Sequence, residues 1–266
     1  MENFINKYGE WALITGASSG IGEEFAKQLA KFGMKLILIA RRKYRLLELS
    51  NLLKEKYNTE SIIIPIDLST DNYIDELKNI TKDKEIGILI NNAGFGSTGE
   101  FINCETAKEI DMIKVNCLAP AVLTHYFLPY MIQRRKGAII FLGSTVAFQP
   151  TPMMATYSAT KAFNLYLGEA LWWELKKYNI DVLALNPGGT NTEFQRIAKI
   201  GVGPIPREAS DVVKTALYAL GKKPSVVDGM QNKIVSVMVR FIPRRIAVSL
   251  AGIIAKNLYA KSYNQD

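Results

Sequence analysis

Ser144, Tyr157 and Lys161 are the residues whose types and spacing in this chain best fit proton-transfer chemistry. Tyr157 and Lys161 are four positions apart, so on a helix their side chains share one face. A phenol with an ordinary pKa near ~10 is a poor acid or base at neutral pH, and a neighbouring ammonium group favours its ionised form. The pattern predicts that Tyr157 exchanges a proton with a substrate oxygen that Ser144 hydrogen-bonds.

A glycine-rich turn from Thr15 to Gly22 (TGASSGIG) predicts a phosphate-binding site. A short apolar run precedes it, and apolar residues then recur with helical period over residues 23–32. Glycines let the backbone turn sharply and approach a pyrophosphate, while the start of the helix offers free N–H groups. The residues of the turn expected to bind a dinucleotide are Gly16, Ser18, Ser19, Gly20, Ile21 and Gly22.

The segment from Gly16 to Gly20 also matches the G-x-S-x-G elbow of α/β-hydrolases. A hydrolase of that type needs an acid and then a histidine base downstream of the serine. The single histidine, His125, lies in an apolar stretch far from the C-terminus. We therefore expect His125 to be a core or helix-surface residue and disfavour the hydrolase alternative.

Taken together, these motifs resemble the short-chain dehydrogenase/reductase family over about residues 11–220. The resemblance implies a catalytic tetrad of Asn116, Ser144, Tyr157 and Lys161, with Asn116 holding a water in a proton relay through Lys161. It implies homo-oligomers formed through the helices that carry Asn116 and Tyr157. It further implies that the cofactor contacts Asp67 and Leu68 on the adenine side, Asn92, Ala93 and Gly94 beside the glycine turn, Tyr157 and Lys161, and a nicotinamide loop with Pro187, Gly188, Thr190 and Thr192.

Two arginines at the end of the second predicted strand, Arg41 and Arg42, favour NADP(H) over NAD(H). Proteins of this fold that use NAD place a carboxylate there for the ribose 2′-hydroxyl, and a carboxylate would repel a 2′-phosphate. A guanidinium group instead binds a phosphate through paired, charge-assisted hydrogen bonds. We expect Arg41 to be the main ligand, with Arg42 and Ser18 in support.

Composition and pattern predict an α/β fold, a doubly wound parallel sheet of the Rossmann type in a single domain. Hydrophobic residues make up 48% of the chain, enough for a large core, and apolar runs alternate with helical patterns. Cys104 and Cys117 show no metal or redox spacing, so we expect no metal site. The N-terminal sequence has no signal-peptide pattern, which makes a cytoplasmic location the default expectation.

A basic amphipathic helical extension is predicted over residues 229–266, after a catalytic domain over 1–228. Residues 229–265 carry six basic side chains and no acidic one, within a chain of net charge +8. Charged residues and Pro243 interrupt the apolar stretches, so no run of ~18 apolar residues could span a bilayer. Three roles remain open: closing the pocket or an oligomer interface, touching a membrane surface, or docking an acidic carrier or coenzyme.

The sequence thus predicts an NADP-dependent oxidoreductase that interconverts a carbonyl and an alcohol. Apolar residues of the segment 195–206, which the resemblance makes a lid, and a C-terminal part resembling the family's lipid-acting subgroup favour a hydrophobic, acyl-chain or lipid-like substrate. The alternative is a catalytically silent dinucleotide sensor or membrane-surface protein of the same fold, which would typically lack Tyr157 or Lys161. No recognition motif accompanies the basic charge, so no specific nucleic-acid partner is expected.

Overall fold

Short apolar runs rich in isoleucine, leucine and valine form a parallel sheet at the centre of the protein. The structure is a computed structural model that describes residues 4–198 and 206–263. Strands of a parallel sheet that is covered on both faces need apolar side chains on both sides, and this explains the nearly continuous burial of the five inner strands, whereas the two edge strands are mostly half-buried. The strands are β1 (Trp11–Thr15), β2 (Lys35–Ile39), β3 (Ser61–Ile64), β4 (Ile86–Asn91), β5 (Gly137–Leu142), β6 (Ile180–Asn186) and β7 (Ser225–Val227).

The strand order is β3-β2-β1-β4-β5-β6-β7. The chain runs outward from β1 to β3, then returns to the other side of β1 and continues to β7. The order therefore reverses between β1 and β4, and a crevice opens at the carboxyl ends of these two strands. In an open α/β sheet a ligand binds in this crevice. The glycine turn directly follows β1 and Asn92 directly follows β4, so both lie at the crevice.

Helices cover both faces of the sheet, and two large apolar clusters fill the spaces between them and the strands. The helices α2 and α9 pack together on one face, and the long helices that carry the predicted catalytic residues pack on the other side of the core. The helices are α1 (Phe4–Tyr8), α2 (Gly20–Lys31), α3 (Lys43–Tyr57), α4 (Tyr73–Thr81), α5 (Thr106–Ile113), α6 (Ala119–Arg134), α7 (Ala155–Leu175), α8 (Phe194–Ala198), α9 (Ala209–Ala219), α10 (Met230–Met238) and α11 (Arg244–Tyr263).

The segment Thr106–Arg134 is one continuous helix in which α5 and α6 are joined by a π-helical stretch at Lys114–Leu118. It is the single described segment with the length and hydropathy of a membrane span. Its apolar character has another physical cause, since Leu123, Phe127 and Met131 are buried and α6 packs on β4 and β5. We therefore assign it to the core of the domain.

These observations confirm the predicted α/β, doubly wound, Rossmann-type fold in a single domain. The helix predicted over residues 23–32 spans Gly20–Lys31, so it includes the last residues of the phosphate turn and ends one residue earlier than expected. The C-terminal part forms α10 and α11, joined by a short 3₁₀ turn at Val239–Phe241 and by Pro243. A division between residues 228 and 229 stays a prediction.

Candidate active site

The glycine turn forms a tight cradle between β1 and α2. Gly16 and Gly20 have φ angles of +66° and +60°, a region that favours glycine. A Cβ on Gly22 would overlap the Gly16 carbonyl oxygen and the Asn92 side chain, so this position accepts no side chain. The first N–H groups of α2 have no acceptors within the helix and point to the crevice, where they can bind a phosphate.

Thr15 and Asn92 hold this cradle against the end of β4. The Asn92 Nδ2 donates to the Thr15 carbonyl oxygen at 2.8 Å and to the Gly16 carbonyl oxygen at 3.2 Å. The Thr15 hydroxyl in turn accepts from the backbone N–H groups of Asn92 and Ala93 at 3.0 and 2.9 Å. The two predicted motifs are therefore one structure, in which the second fixes the backbone of the first.

Arg42 lies across the open end of the cradle. Its Nη2 donates to the Ser18 and Ser19 hydroxyls at 3.1 and 2.9 Å, and its Nη1 contacts a Glu193 carboxylate oxygen at 2.8 Å. Arg41 is the more exposed of the two arginines, with 70% of its side chain accessible, and its Nη1 is 3.6 Å from the Asp67 carboxylate. The structure thus places Arg42 in direct contact with the phosphate turn, whereas the expected role of Arg41 as the main 2′-phosphate ligand stays a prediction.

Asp67 is held as a carboxylate in the wall of the crevice. Burial by itself would raise the pKa of Asp67, but hydrogen bonds from the Ser69 N–H and hydroxyl, each 2.9 Å, outweigh it together with the charge of Arg41. The pKa of Asp67 therefore lies below its ordinary value. Leu68 follows as a buried residue in the wall of the same crevice.

The predicted catalytic side chains meet where β5 ends and α7 begins. Ser144 is the first residue after the loop leaving β5, and its hydroxyl accepts from the Val146 N–H at 3.4 Å. Tyr157 and Lys161 lie one turn apart in the first half of α7, and both are almost fully buried. The Lys161 Nζ is 5.7 Å from the centre of the Tyr157 ring and donates to the Leu142 carbonyl oxygen at 2.8 Å.

Burial controls the ionisation of this pair in the chain without ligands. It raises the pKa of Tyr157 above that of an ordinary phenol, and a hydrogen bond with Ser144 opposes this only in part. Burial also lowers the pKa of Lys161 to about 8, while the neighbouring Cys117 acts in the opposite direction. Without ligands, the pKa of Tyr157 is therefore not lowered as the sequence suggested, and the phenol carries its proton at neutral pH.

Asn116 is fully buried in the π-helical stretch and fixes the loop after β4. Its side chain accepts from the Phe95 N–H at 3.1 Å and donates to the Phe95 carbonyl oxygen at 2.9 Å and to the Thr160 hydroxyl at 3.0 Å. Asn164 donates to the Asn116 backbone carbonyl at 2.8 Å. A π-helical insertion often marks a functional site, and here it brings α5–α6 into contact with α7, the helix that carries Tyr157 and Lys161.

A cavity of about 520 Å³ unites these parts. The loop after β6 forms the far wall of the cavity. Its Thr192 side chain packs against Gly20, where a Cβ atom would lie only 2.9 Å from the Thr192 methyl group. Two of the predicted site residues, Gly22 and Asn116, lie directly behind the cavity wall. All the others line the cavity. The wall residues predicted as ligands are Gly16, Ser18, Ser19, Gly20, Ile21, Arg41, Arg42, Asp67, Leu68, Asn92, Ala93, Gly94, Ser144, Tyr157, Lys161, Pro187, Gly188, Thr190 and Thr192.

Sequence reasoning missed several residues of this site. Glu193 contacts Arg42, and Phe194 packs against the Tyr157 ring with centroids 5.4 Å apart. The sequence offered one signal for them, since Glu193 and Phe194 directly follow Thr192 of the predicted nicotinamide loop. Of the lid residues predicted between 195 and 206, Ile197 lines the cavity, whereas Ile200, Val202 and Ile205 lie outside the described residues.

A glycine cradle at the switch point of a doubly wound sheet, with tyrosine and lysine at one end, defines a dinucleotide-binding oxidoreductase site. The family model described as short chain dehydrogenase matches residues 10–200. The chain belongs to this family, which confirms the resemblance drawn from its motifs.

Two curated proteins are similar to the chain in sequence. It is 34% identical to the very-long-chain 3-oxoacyl-CoA reductase of Rattus norvegicus over 246 residues, which cover 89% of this chain and 78% of the relative. It is 39% identical to the hydroxysteroid dehydrogenase-like protein 1 of Gallus gallus over 188 residues, 70% of this chain. The chain spans 57% of the length of that second relative.

Two solved structures share the fold. One, from work on the stereoselectivity of 7beta-hydroxysteroid dehydrogenase, has a TM-score of 0.87 at 26% identity and covers 94% of this chain and 99% of its own. The other is a short-chain dehydrogenase from Sphingobium yanoikuyae in complex with NADPH, with a TM-score of 0.77 at 35% identity. That match covers 82% of this chain and 86% of the Sphingobium chain.

Proposed function

We propose that this protein is an NADP(H)-dependent reductase that converts the carbonyl group of a hydrophobic substrate into an alcohol. The observation that carries the proposal is the single cavity that joins the glycine cradle to Ser144, Tyr157 and Lys161. Binding and proton transfer thus have their residues on one continuous surface. Retention of Tyr157 and Lys161 in this geometry argues against a catalytically silent sensor.

The residues of the cradle fit a phosphorylated dinucleotide. Gly16 and Gly20 leave room for the pyrophosphate, and Gly22 lets the cradle close, because a side chain there would overlap the Gly16 carbonyl oxygen and Asn92. Arg42 and Arg41 supply two guanidinium groups at the end of β2 where a 2′-phosphate would lie. The complex of the Sphingobium relative with NADPH supports this choice.

Tyr157 would act as the general acid in the reducing direction. Burial keeps its phenol protonated, which is the form that can give a proton to a carbonyl oxygen. Ser144 would orient that oxygen through a hydrogen bond, and Lys161 would stabilise the charge left on the phenolate. Asn116 would hold Tyr157 and Lys161 in position through its hydrogen bonds to Phe95 and to Thr160 of the same helix. The nicotinamide, when bound, supplies the hydride.

Apolar side chains at the tyrosine end of the cavity support a hydrophobic substrate. They are Phe95, Val146, Met154, Phe194 and Ile197. The names of the rat reductase and the 7beta-hydroxysteroid dehydrogenase suggest two classes with suitable ketones, long-chain 3-oxoacyl thioesters and oxosteroids. A pocket lined in this way gains affinity in proportion to the apolar surface that it removes from water.

The test is oxidation of NADPH and NADH, followed by absorbance, with 3-oxoacyl thioesters of increasing chain length and with oxosteroids. We expect turnover with NADPH that rises with the apolar size of the ketone. Tyr157→Phe should lower kcat by about 100-fold or more, the scale of general acid catalysis. Tyr218→Phe is the matched control, because Tyr218 lies on α9 with 74% of its surface exposed and does not line the cavity.

Tight NADPH binding without turnover of any ketone would contradict the enzyme and support the silent alternative. Turnover with NADH alone would contradict the cofactor assignment.

We also propose a cytoplasmic homo-oligomer. Exposed apolar residues on the helices that carry Asn116 and Tyr157, notably Leu118, Tyr166 and Trp173, support the oligomer.

A further inference from the structure

The C-terminal helices expose an unusual share of the protein's large apolar side chains. Among the described residues, 24 such side chains are exposed, and ten of them lie between Met230 and Ile254. Contiguous exposed apolar surface is uncommon on soluble proteins and marks a binding surface. The cavity described above does not account for it, because its described walls lie between Gly16 and Ile197.

The apolar side chains of α10 lie mainly along one stripe. Met230, Ile234, Val237, Met238 and Phe241 follow the i, i+4, i+7, i+8, i+11 spacing of a single helical face. All five are exposed, from 47% for Val237 to 83% for Phe241. The opposite side of α10 contacts β7 and the turn at Thr145–Phe148, so the stripe faces outward.

A second stripe runs along α11. Ile246, Leu250, Ile253 and Ile254 repeat the same spacing, and each has 47–59% of its surface exposed. The helix is anchored on a different face, where Ala247, Ala251 and Ala255 are buried and Gly252 faces Pro152. Small residues therefore pack this helix on the domain, and its large apolar residues are left at the surface.

Basic residues flank both stripes. At 100° per residue, Lys233 and Arg240 lie beside the stripe of α10, and Arg245 and Lys256 lie beside that of α11. These four side chains, with Arg244, have no ion pair among the described residues. Residues 229–265 contain no aspartate or glutamate that could neutralise them.

We infer that α10 and α11 form a membrane-surface binding face, hereafter the C-terminal face, that lies flat on an anionic lipid bilayer. Apolar stripes beside basic side chains are the pattern of interfacial helices, whose large side chains enter the acyl boundary while cations contact lipid phosphates. A second copy of this chain is a poorer occupant. A symmetric contact would bring arginines and lysines together with no carboxylate on the face to pair with them.

The test is co-sedimentation of the full chain with vesicles of phosphatidylcholine, with and without phosphatidylglycerol. We expect binding to the anionic vesicles that weakens as salt is added. Arg240→Gln with Arg245→Gln should lower the partition coefficient about 30-fold, from the attraction of two basic residues. Phe241→Gln with Ile253→Gln should lower it by at least about tenfold through lost insertion.

Two double variants serve as matched controls. Lys31→Gln with Lys54→Gln removes two exposed charges elsewhere, and Phe101→Gln with Ile102→Gln removes two side chains that are 69% and 87% exposed. Both should sediment like the wild type, and thermal melting checks that every variant is folded.

Three outcomes would overturn the inference. The chain would stay in the supernatant with both kinds of vesicle, or the C-terminal variants would bind no less than their controls. In the third, sedimentation velocity without lipid would show an oligomer that Phe241→Gln with Ile253→Gln dissociates, which would make a second copy the occupant. None of these measurements depends on cofactor or turnover, so they are independent of the proposed reductase activity.

Discussion

The Arg42 guanidinium and the Glu193 carboxylate form an ion pair with 2.8 Å between Nη1 and Oε2, although 151 residues separate them in the chain. Glu193 opens the segment that leads into α8, whereas Arg42 stands at the start of α3 beside the phosphate turn. The pair therefore connects the loop over the cavity to the end where a 2′-phosphate would lie. A carboxylate competes there with the phosphate for one guanidinium group.

Glu193→Gln should tighten NADPH binding about twofold to fivefold, because it removes a repelling charge and a partly exposed ion pair of ~0.2–1 kcal/mol. NADH affinity should change little. Titration of intrinsic fluorescence with each cofactor measures both values. Glu60→Gln is the control, since Glu60 pairs with Lys35 at the amino end of β2, away from the cavity. Equal tightening for NADH would mean that Glu193 acts on the lid and not on the 2′-phosphate.

Arg42→Ala should weaken NADPH binding more than Arg41→Ala does. Arg42 is positioned by two serines of the phosphate turn, whereas Arg41 is largely exposed to water. Charge-assisted hydrogen bonds of ~1.5–3 kcal/mol correspond to a loss of about tenfold to a hundredfold for Arg42. Isothermal titration gives the Kd values, with NADH as the internal reference. A larger effect at Arg41 would restore the order expected from the sequence.

Gly22→Ala should abolish measurable cofactor binding and lower the free energy of unfolding by about 1–3 kcal/mol. The added methyl group overlaps the Gly16 carbonyl oxygen and the Asn92 side chain, so the cradle must open. Gly33→Ala is a matched control, because Gly33 has a φ of +83°, a Cβ there would make only an ordinary contact with the Ile5 side chain at 3.5 Å, and Gly33 does not line the cavity. It should cost about 1–2 kcal/mol and leave cofactor affinity unchanged.

The buried Lys161 should make stability rise at alkaline pH. Its pKa is lowered to about 8 in the folded chain, against ~10.4 when unfolded. Between these values the unfolded chain binds more protons, so the free energy of unfolding increases with pH. From pH ~8 to pH ~10 the wild type should gain about 2 kcal/mol relative to Lys161→Met, measured by urea unfolding. Parallel pH profiles of the two proteins would show that Lys161 keeps an ordinary pKa.

Much of the fold and of the site could be predicted because the signals are local. The glycine turn has to connect β1 to α2, and an apolar run of five residues has to be a buried strand. The interval of four residues between Tyr157 and Lys161 puts both on one helical face. Such features depend on backbone geometry within one or two turns, so the sequence itself carries them.

Other features depend on segments that are distant in the chain. The contacts of Arg42 with Ser18, Ser19 and Glu193 and the clamp of Asn116 on Phe95 and Thr160 arise only when separate elements pack together. The π-helical turn that points Asn116 inward has no simple periodic signal. The missed residues belong to this group.

The amino-acid sequence by itself determined the family and the doubly wound sheet, and it predicted the proton-transfer residues, since all of these follow from short-range spacing and hydrophobic pattern. Tertiary structure decided the ionisation of Tyr157 and Lys161, because burial sets the desolvation that shifts each pKa. It also decided which side of α11 meets the domain. The small alanines pack closely there, and the larger isoleucines and leucine remain at the surface beside the basic residues.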